Sequence, residues 1–106
     1  MRSFNSPYSK KVYELISTIP EGYVTTYGDI AHKLGMKNPR TVGTILHFNT
    51  DPLVVPCHRV VNAQGKTAQG FAFGGDDVQR QLLEQEGVEF IGNRVNLRKH
   101  LYHWVD

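Results

Sequence analysis

Between Thr26 and His47 the sequence TYGDIAHKLGMKNPRTVGTILH contains two short helices with firm stops at their ends. Thr26, with Asp29 three residues on, resembles a capping box in which Asp replaces the usual Glu. Ile30, Ala31 and Leu34 give the first helix an inward face, and Gly35 stops it. Asn38 can cap the second helix and Pro39 suits its first position. Val42, Ile45 and Leu46 then recur at helical spacing as a buried stripe. Two helices joined so closely read as a helix-turn-helix, the second being the recognition helix.

The flanking segments extend this unit. In SPYSKKVYELISTIPEG, Ser6 can cap a helix and Pro7 can start it. Val12, Leu15, Ile16 and Ile19 make one apolar stripe, and Pro20 and Gly22 end the segment. Tyr23 to Thr25 is a short extended piece. LVVPCHRVV, residues 53–61, reads as two extended segments broken by Pro56, and NAQG as a turn. KTAQGFAFGG is a glycine-rich loop. DDVQRQLLEQEG is a helix capped by Asp76 or Asp77, with Val78, Leu82 and Leu83 inward. VEFIGNRVNL is a hairpin about Gly92-Asn93, and the tail packs back through Leu97, Leu101 and Trp104. The fold class is therefore mainly α (α+β): a winged helix-turn-helix-like single domain with a few short strands, spanning 1–106.

A chain of 106 residues fits one domain, and at this size only about 60–70% of the unfolded surface becomes buried. A polar group inside so small a core needs a partner. No apolar run approaches the ~18 residues of a membrane span. MRSFNSPYSKK has no signal-peptide pattern, and a single free thiol fits a reducing, cytoplasmic setting. Five histidines with one cysteine and no Cys-x-x-Cys pair make structural zinc an unattractive reading. Residues 1–50 carry six Lys/Arg against three acids, and residues 51–106 six against seven. A mildly basic first half is compatible with a polyanion partner without requiring one.

The lone cysteine is either small hydrophobic filler or a reagent. Cys57 is followed directly by His58, and on a turn the two side chains can share a pocket; a thiol needs such a base to ionise. Glu86 falls on the face of Leu82 and Leu83, where an inward carboxylate needs a partner. A Cys–His–Glu relay would supply it, the carboxylate orienting the ring and the ring taking the thiol proton. The alternative is a helix-end residue reaching solvent. Asn49 continues the inward stripe of Val42, or else caps the helix end.

On the recognition helix, the face opposite Val42, Ile45 and Leu46 carries Arg40, Gly43, Thr44 and His47. Small residues between a basic and an aromatic end permit close approach to a nucleic-acid backbone. The Arg, Asn and Gln set that reads base edges in the major groove is missing. The same face would equally serve to pack on another helix of the domain.

Five segments in order resemble a known family. PCHRVV, EGYVTTYGDIA, PRTVG, Asn49 and the LLEQEGV of Glu86 are similar to the C-terminal DNA-binding and active-site domain of O6-alkylguanine-DNA alkyltransferases and of the short alkyltransferase-like proteins. The resemblance implies minor-groove binding without sequence preference by Tyr27, Arg40, Thr41, Gly43, Thr44 and His47. Arg40 would enter the stack where the damaged guanine leaves, and Tyr27 would press on the adjacent phosphate. The flipped base would meet a pocket of Pro56, Val60, Phe71, Phe73 and Gly74 beside Cys57. Cys57, His58, Glu86, Asn49 and Tyr27 would carry a single-turnover displacement. It implies no cofactor and no metal, a monomer, double-stranded DNA containing O6-alkylguanine as partner, and no membrane partner.

The match departs in three places. Full-length transferases carry a further N-terminal domain, absent from this sequence. Alkyltransferase-like proteins, which bind lesions and direct them to nucleotide excision repair proteins, usually have Trp or Ala where this chain has Cys57. Active transferases typically show Gly-Tyr-x-Gly-Gly where this chain has GFAFGG. Alkyl transfer to Cys57 is the first reading and lesion sensing without transfer the second. A transcription regulator is disfavoured because the recognition helix has no base-reading side chains and the chain no evident dimer element. A cysteine hydrolase is disfavoured because the chain has no cleft-forming second lobe and no separate histidine at a recognisable site. The first reading requires the Cys57 sulfur to line a cavity beside the arginine-tipped helix, with His58 connecting it to Glu86.

Overall fold

In the computed structural model, which describes residues 6–49, 54–68 and 74–104, helix α1 runs Ser9–Ile16. It starts later than Ser6 and Pro7 predict, because Ser6 is spent on a turn. Its Oγ accepts from the Tyr8 amide at 3.1 Å and its carbonyl from the Ser9 amide at 3.1 Å. Strand β1 (Thr25–Thr26) leads into α2 (Tyr27–Lys33), and Thr26 Oγ1 accepts from the Asp29 amide at 3.0 Å. Helix α3 is Pro39–His47, with Asn38 Oδ1 accepting from the Arg40 amide at 3.0 Å. Both caps of the helix-turn-helix are therefore those expected.

LVVPCHRVV departs from expectation. Cys57–Arg59 forms one 3-10 turn, and only Val60–Val61 is extended, as β2. Pro56 sits at the N-cap of that turn, so the cysteine, histidine and arginine fan around a tight turn rather than alternating along a strand. β2 pairs in parallel with β1, Thr25 against Val60 and Thr26 against Val61. That register fixes the turn beside the first residue of α2, Tyr27.

Successive residues of β2 face opposite ways and serve two cores. Val60 joins Val12, Ile16, Ile30, Val42, Ile45, Val55 and Cys57; Val61 joins Val24, Leu83, Val88 and Val95. Both valines are 0% exposed, each burial stabilising by about 1.5–3 kcal/mol. Helix α4 (Asp76–Gln85) supplies Leu83 to the second core. Strands β3 (Phe90–Ile91) and β4 (Arg94–Val95) form the expected hairpin, Gly92 taking φ +63°. It rests on the Asn62–Gly65 turn through the Val95 amide and the Gly65 carbonyl, 2.9 Å apart. A Cβ on Gly65 would lie 2.8 Å from the Val95 carbonyl oxygen, so only glycine fits.

The tail forms a short helix, α5 (Leu97–His100), with Leu101 bridging Val24. His100 is buried and clasps two segments. Its Nδ1 lies 2.7 Å from the Gly22 carbonyl and its Nε2 accepts from the Glu89 amide at 2.9 Å, so the proton sits on Nδ1. Trp104 packs on the first core and donates its indole N–H to Thr18 Oγ1 at 2.8 Å. Among the described residues no helix is long and apolar enough to cross a membrane.

Candidate functional site

The 3-10 turn brings His58 and Arg59 against the end of α4, while Cys57 turns into the first core. Glu86 is the residue after that helix, and its carboxylate points back to the turn. His58 Nε2 lies 2.8 Å from Glu86 Oε2. Arg59 donates Nε to Oε1 at 2.9 Å and Nη2 to Oε2 at 2.7 Å, and its Nη1 donates to the Ile19 carbonyl at 2.8 Å. Burial opposes ionisation of Glu86, but the hydrogen bonds and charges of Arg59 and His58 outweigh it and hold the carboxyl below its usual range. An ionised carboxylate only accepts, so it is Nε2–H of His58 that donates to Glu86, and Nδ1 is an acceptor whenever the ring is neutral.

Cys57 is 6% exposed and belongs to the first core. Burial pushes its thiol up, while the Asn49 side chain and the turn's backbone pull it partly down. Asn49 is buried too, with Nδ2 donating to the Val55 carbonyl at 2.9 Å. It thus ties the end of α3 to the approach of the thiol turn. Phe48, not Asn49, caps the helix. The phenols of Tyr13 and Tyr27 are both raised, first by burial and then by the charge Cys57 would carry. Both rings pack on the core cluster that contains Cys57, and the Tyr13 hydroxyl is fixed by donating to the Ile45 carbonyl at 2.7 Å.

A groove of about 780 Å³ runs along α3, walled on one side by Tyr27, Gly28, Pro39, Arg40, Gly43, Thr44 and His47. Asn62, Ala63 and Gln64 form the other wall. Arg40, Thr44 and His47 are exposed; the Thr44 hydroxyl donates to the Arg40 carbonyl at 3.2 Å. Thr41, half-buried, is not among the lining residues. Packing within the domain does not demand the glycine at 43. A Cβ there would find the Tyr27 ring at 3.9 Å, an ordinary contact, so helix packing does not explain that face.

Several expectations need correction. Cys57 is not among the described residues that line the α3 groove; it is buried in the first core. Val60 has no exposed surface, because β2 turns it to the core, so it lines no open pocket. Pro56 instead lines a separate polar cleft of about 520 Å³ with Ser17, Glu21, His58, Arg59 and Glu86. Gly74 is exposed at φ +131°, and its role is steric: a Cβ would fall 2.7 Å from Val78 Cγ2 at the start of α4. Phe71 and Phe73 lie outside the described residues.

Sequence reasoning missed Arg59, Tyr13 and the Asn62–Gln64 wall. The wall was legible only as a turn. Arg59 follows His58 directly and carried a signal only if the segment was read as a turn rather than a strand.

The site thus offers a buried thiol one residue from an imidazole–carboxylate pair, and a groove along a helix with an exposed arginine. The chain belongs to the 6-O-methylguanine DNA methyltransferase family, whose DNA binding domain matches residues 7–88. It is 38% identical over 101 residues to the DNA base-flipping protein of Escherichia coli, covering 92% of this chain and 74% of that one. To the methylated-DNA–protein-cysteine methyltransferase of Methanothermobacter thermautotrophicus it is 40% identical over 85 residues, 80% of this chain and 47% of that protein. It thus spans about half the length of the curated methyltransferases it matches. The Schizosaccharomyces pombe alkyltransferase-like protein in complex with DNA superimposes with a TM-score of 0.80 at 33% identity, covering 97% of this chain and 99% of that one. The Mycobacterium tuberculosis OGT–DNA complex gives 0.69 at 37%, covering 79% and 51%.

Proposed function

We propose that the protein binds duplex DNA carrying O6-alkylguanine from the minor-groove side along α3. It turns the alkylated base out of the stack and accepts the alkyl group on Cys57, once per molecule. Cys57 is 6% exposed in the first core, so transfer requires the thiol turn to become accessible from the α3 side on binding. Arg40, exposed at the start of α3, fills the space the base leaves, and the low face at Gly43 and Thr44 lets the backbone come close. The sulfur forms a bond to the alkyl carbon as that carbon's bond to O6 breaks. The thiol proton goes to His58 Nδ1, directly or through a water, and the Tyr27 phenol protonates the departing guanine. The observation that supports this reading is the 2.8 Å contact of Glu86, held ionised by Arg59, with His58, the residue that directly follows the single cysteine.

The second reading is a sensor that holds the lesion without transfer and hands it to nucleotide excision repair proteins. Two observations favour it. The thiol is buried with its pKa raised, and the chain-length match is to an alkyltransferase-like protein with DNA. Digesting the duplex after incubation and quantifying O6-methylguanine separates them. Loss of one lesion per protein molecule supports acceptance by Cys57. Tight lesion binding with the modified base intact supports the sensor, and equal affinity for damaged and undamaged duplex overturns both.

A further inference from the structure

Gln79 lies in the middle of α4 and is 0% exposed. Its position on the inward face, one turn before Leu83, would suit a leucine. Instead its Nε2 donates to the His58 carbonyl at 3.0 Å and the Val60 carbonyl at 2.8 Å, and its Oε1 accepts from the Ala68 amide at 2.8 Å. Both amide protons and one carbonyl lone pair are used. One side chain thus ties together the exit of the thiol turn and residue 68, from which the chain leads on toward α4. A buried amide is costly unless satisfied, and two of its three partners, the His58 and Val60 carbonyls, belong to the segment around Cys57.

We propose that Gln79 is the positioning residue of this site: its amide fixes the Cys57–Arg59 turn against the chain at Ala68 and so sets how Cys57 and His58 are presented. It touches neither sulfur nor DNA and acts through the backbone. The inference rests on the proposed reading only in taking Cys57 as the group to be presented.

Gln79→Glu separates positioning from space-filling. The carboxyl has the same shape and can still accept from the Ala68 amide. Its other oxygen, when ionised, faces two carbonyl oxygens. Protonated, it donates to one of them, and burial favours that form. The defect must therefore deepen as pH rises. Gln79→Met fills the space and removes all three bonds at every pH.

The test uses the full chain and iodoacetamide, read by intact mass, which the single cysteine makes unambiguous. Variant and wild-type rates are compared at each pH, so the ionisation common to both cancels. Gln79→Glu should raise the Cys57 modification rate about fivefold or more near pH 8 and return to within about twofold near pH 5.5. Gln79→Met should raise it at both. In parallel, the preference of Gln79→Glu for an O6-methylguanine duplex over an undamaged one should fall about tenfold near pH 8, with undamaged binding unchanged within about twofold. Wild-type thiol kinetics in both variants would overturn the inference and leave a space-filling side chain. A wild-type protein without lesion preference would instead sink the proposed function, and the thiol kinetics, which need no DNA, would still decide the role of Gln79. If Gln79→Glu does not fold, Gln79→Met alone decides it.

Discussion

Arg59 grips Glu86 with two parallel hydrogen bonds, 2.9 and 2.7 Å long, while His58 shares the second oxygen at 2.8 Å. The planar guanidinium suits such a fork, and a lysine cannot reproduce it. Arg59→Met would leave a largely buried carboxylate with one partner and should cost about 3 kcal/mol, read as a shift of the urea midpoint. A loss below about 1 kcal/mol would show that the pair is screened as a surface bridge is.

The same pair fixes the sign of an acid limb. Glu86 is held below its usual range, so its contribution is fully present above the unfolded carboxyl value of about 4.3 and is lost as pH falls through the lower folded value. Urea titrations between about pH 2 and 7 should show this limb in the wild type and a shallower one in Glu86→Gln. Superimposable pH profiles would refute the coupling.

Gly43 makes stability and binding move in opposite directions. Alanine there meets only the Tyr27 ring, at an ordinary 3.9 Å, and a helix-interior Gly→Ala change should stabilise by about 0.5–1 kcal/mol. The added methyl stands in the groove, so duplex affinity should fall about tenfold by fluorescence anisotropy. Unchanged affinity would remove α3 from the interface.

The resting thiol should be sluggish. Burial raises it and Asn49 partly offsets the rise, so the pH–rate profile with iodoacetamide should lie above that of an exposed thiol, about 8.5. Asn49→Ala should move the profile higher still and slow modification at neutral pH. A profile at or below that of a free thiol would contradict the placement of Cys57 in the core.

Thr25 is a small flaw in the core. It is 0% exposed, and its Oγ1 has no hydrogen-bond partner among the described residues. Thr25→Val keeps the shape and removes the orphan hydroxyl, so it should stabilise by about 1 kcal/mol in thermal melts. A loss would mean that the hydroxyl has a partner in solution.

Local chemistry made the helix-turn-helix legible: Thr26 and Asn38 act on amides two or three residues away, and Gly92 serves its own turn. What depends on distant chain was not. Val60 and Val61 could be read as extended, but their parallel pairing with Thr25 and Thr26 joins residues far apart in sequence. The β-formers around Cys57 hid a 3-10 turn, and with it the inward reach of Arg59. Gln79 carried no signal, since a glutamine among apolar positions reads as surface until its partners are seen. Helical spacing with Leu82 and Leu83, and then the motif resemblance, picked out Glu86, yet the carboxylate works from just beyond the helix rather than from its face.

What Cys57 does when DNA is present decides between alkyl acceptor and lesion sensor. Incubating the protein with a duplex containing one O6-methylguanine and measuring its intact mass should give a gain of one methyl group. The gain should map to Cys57 and vanish in Cys57→Ser. An unchanged mass at full occupancy of the lesion duplex, with Cys57→Ser binding it equally well, would contradict the thiol's role as acceptor.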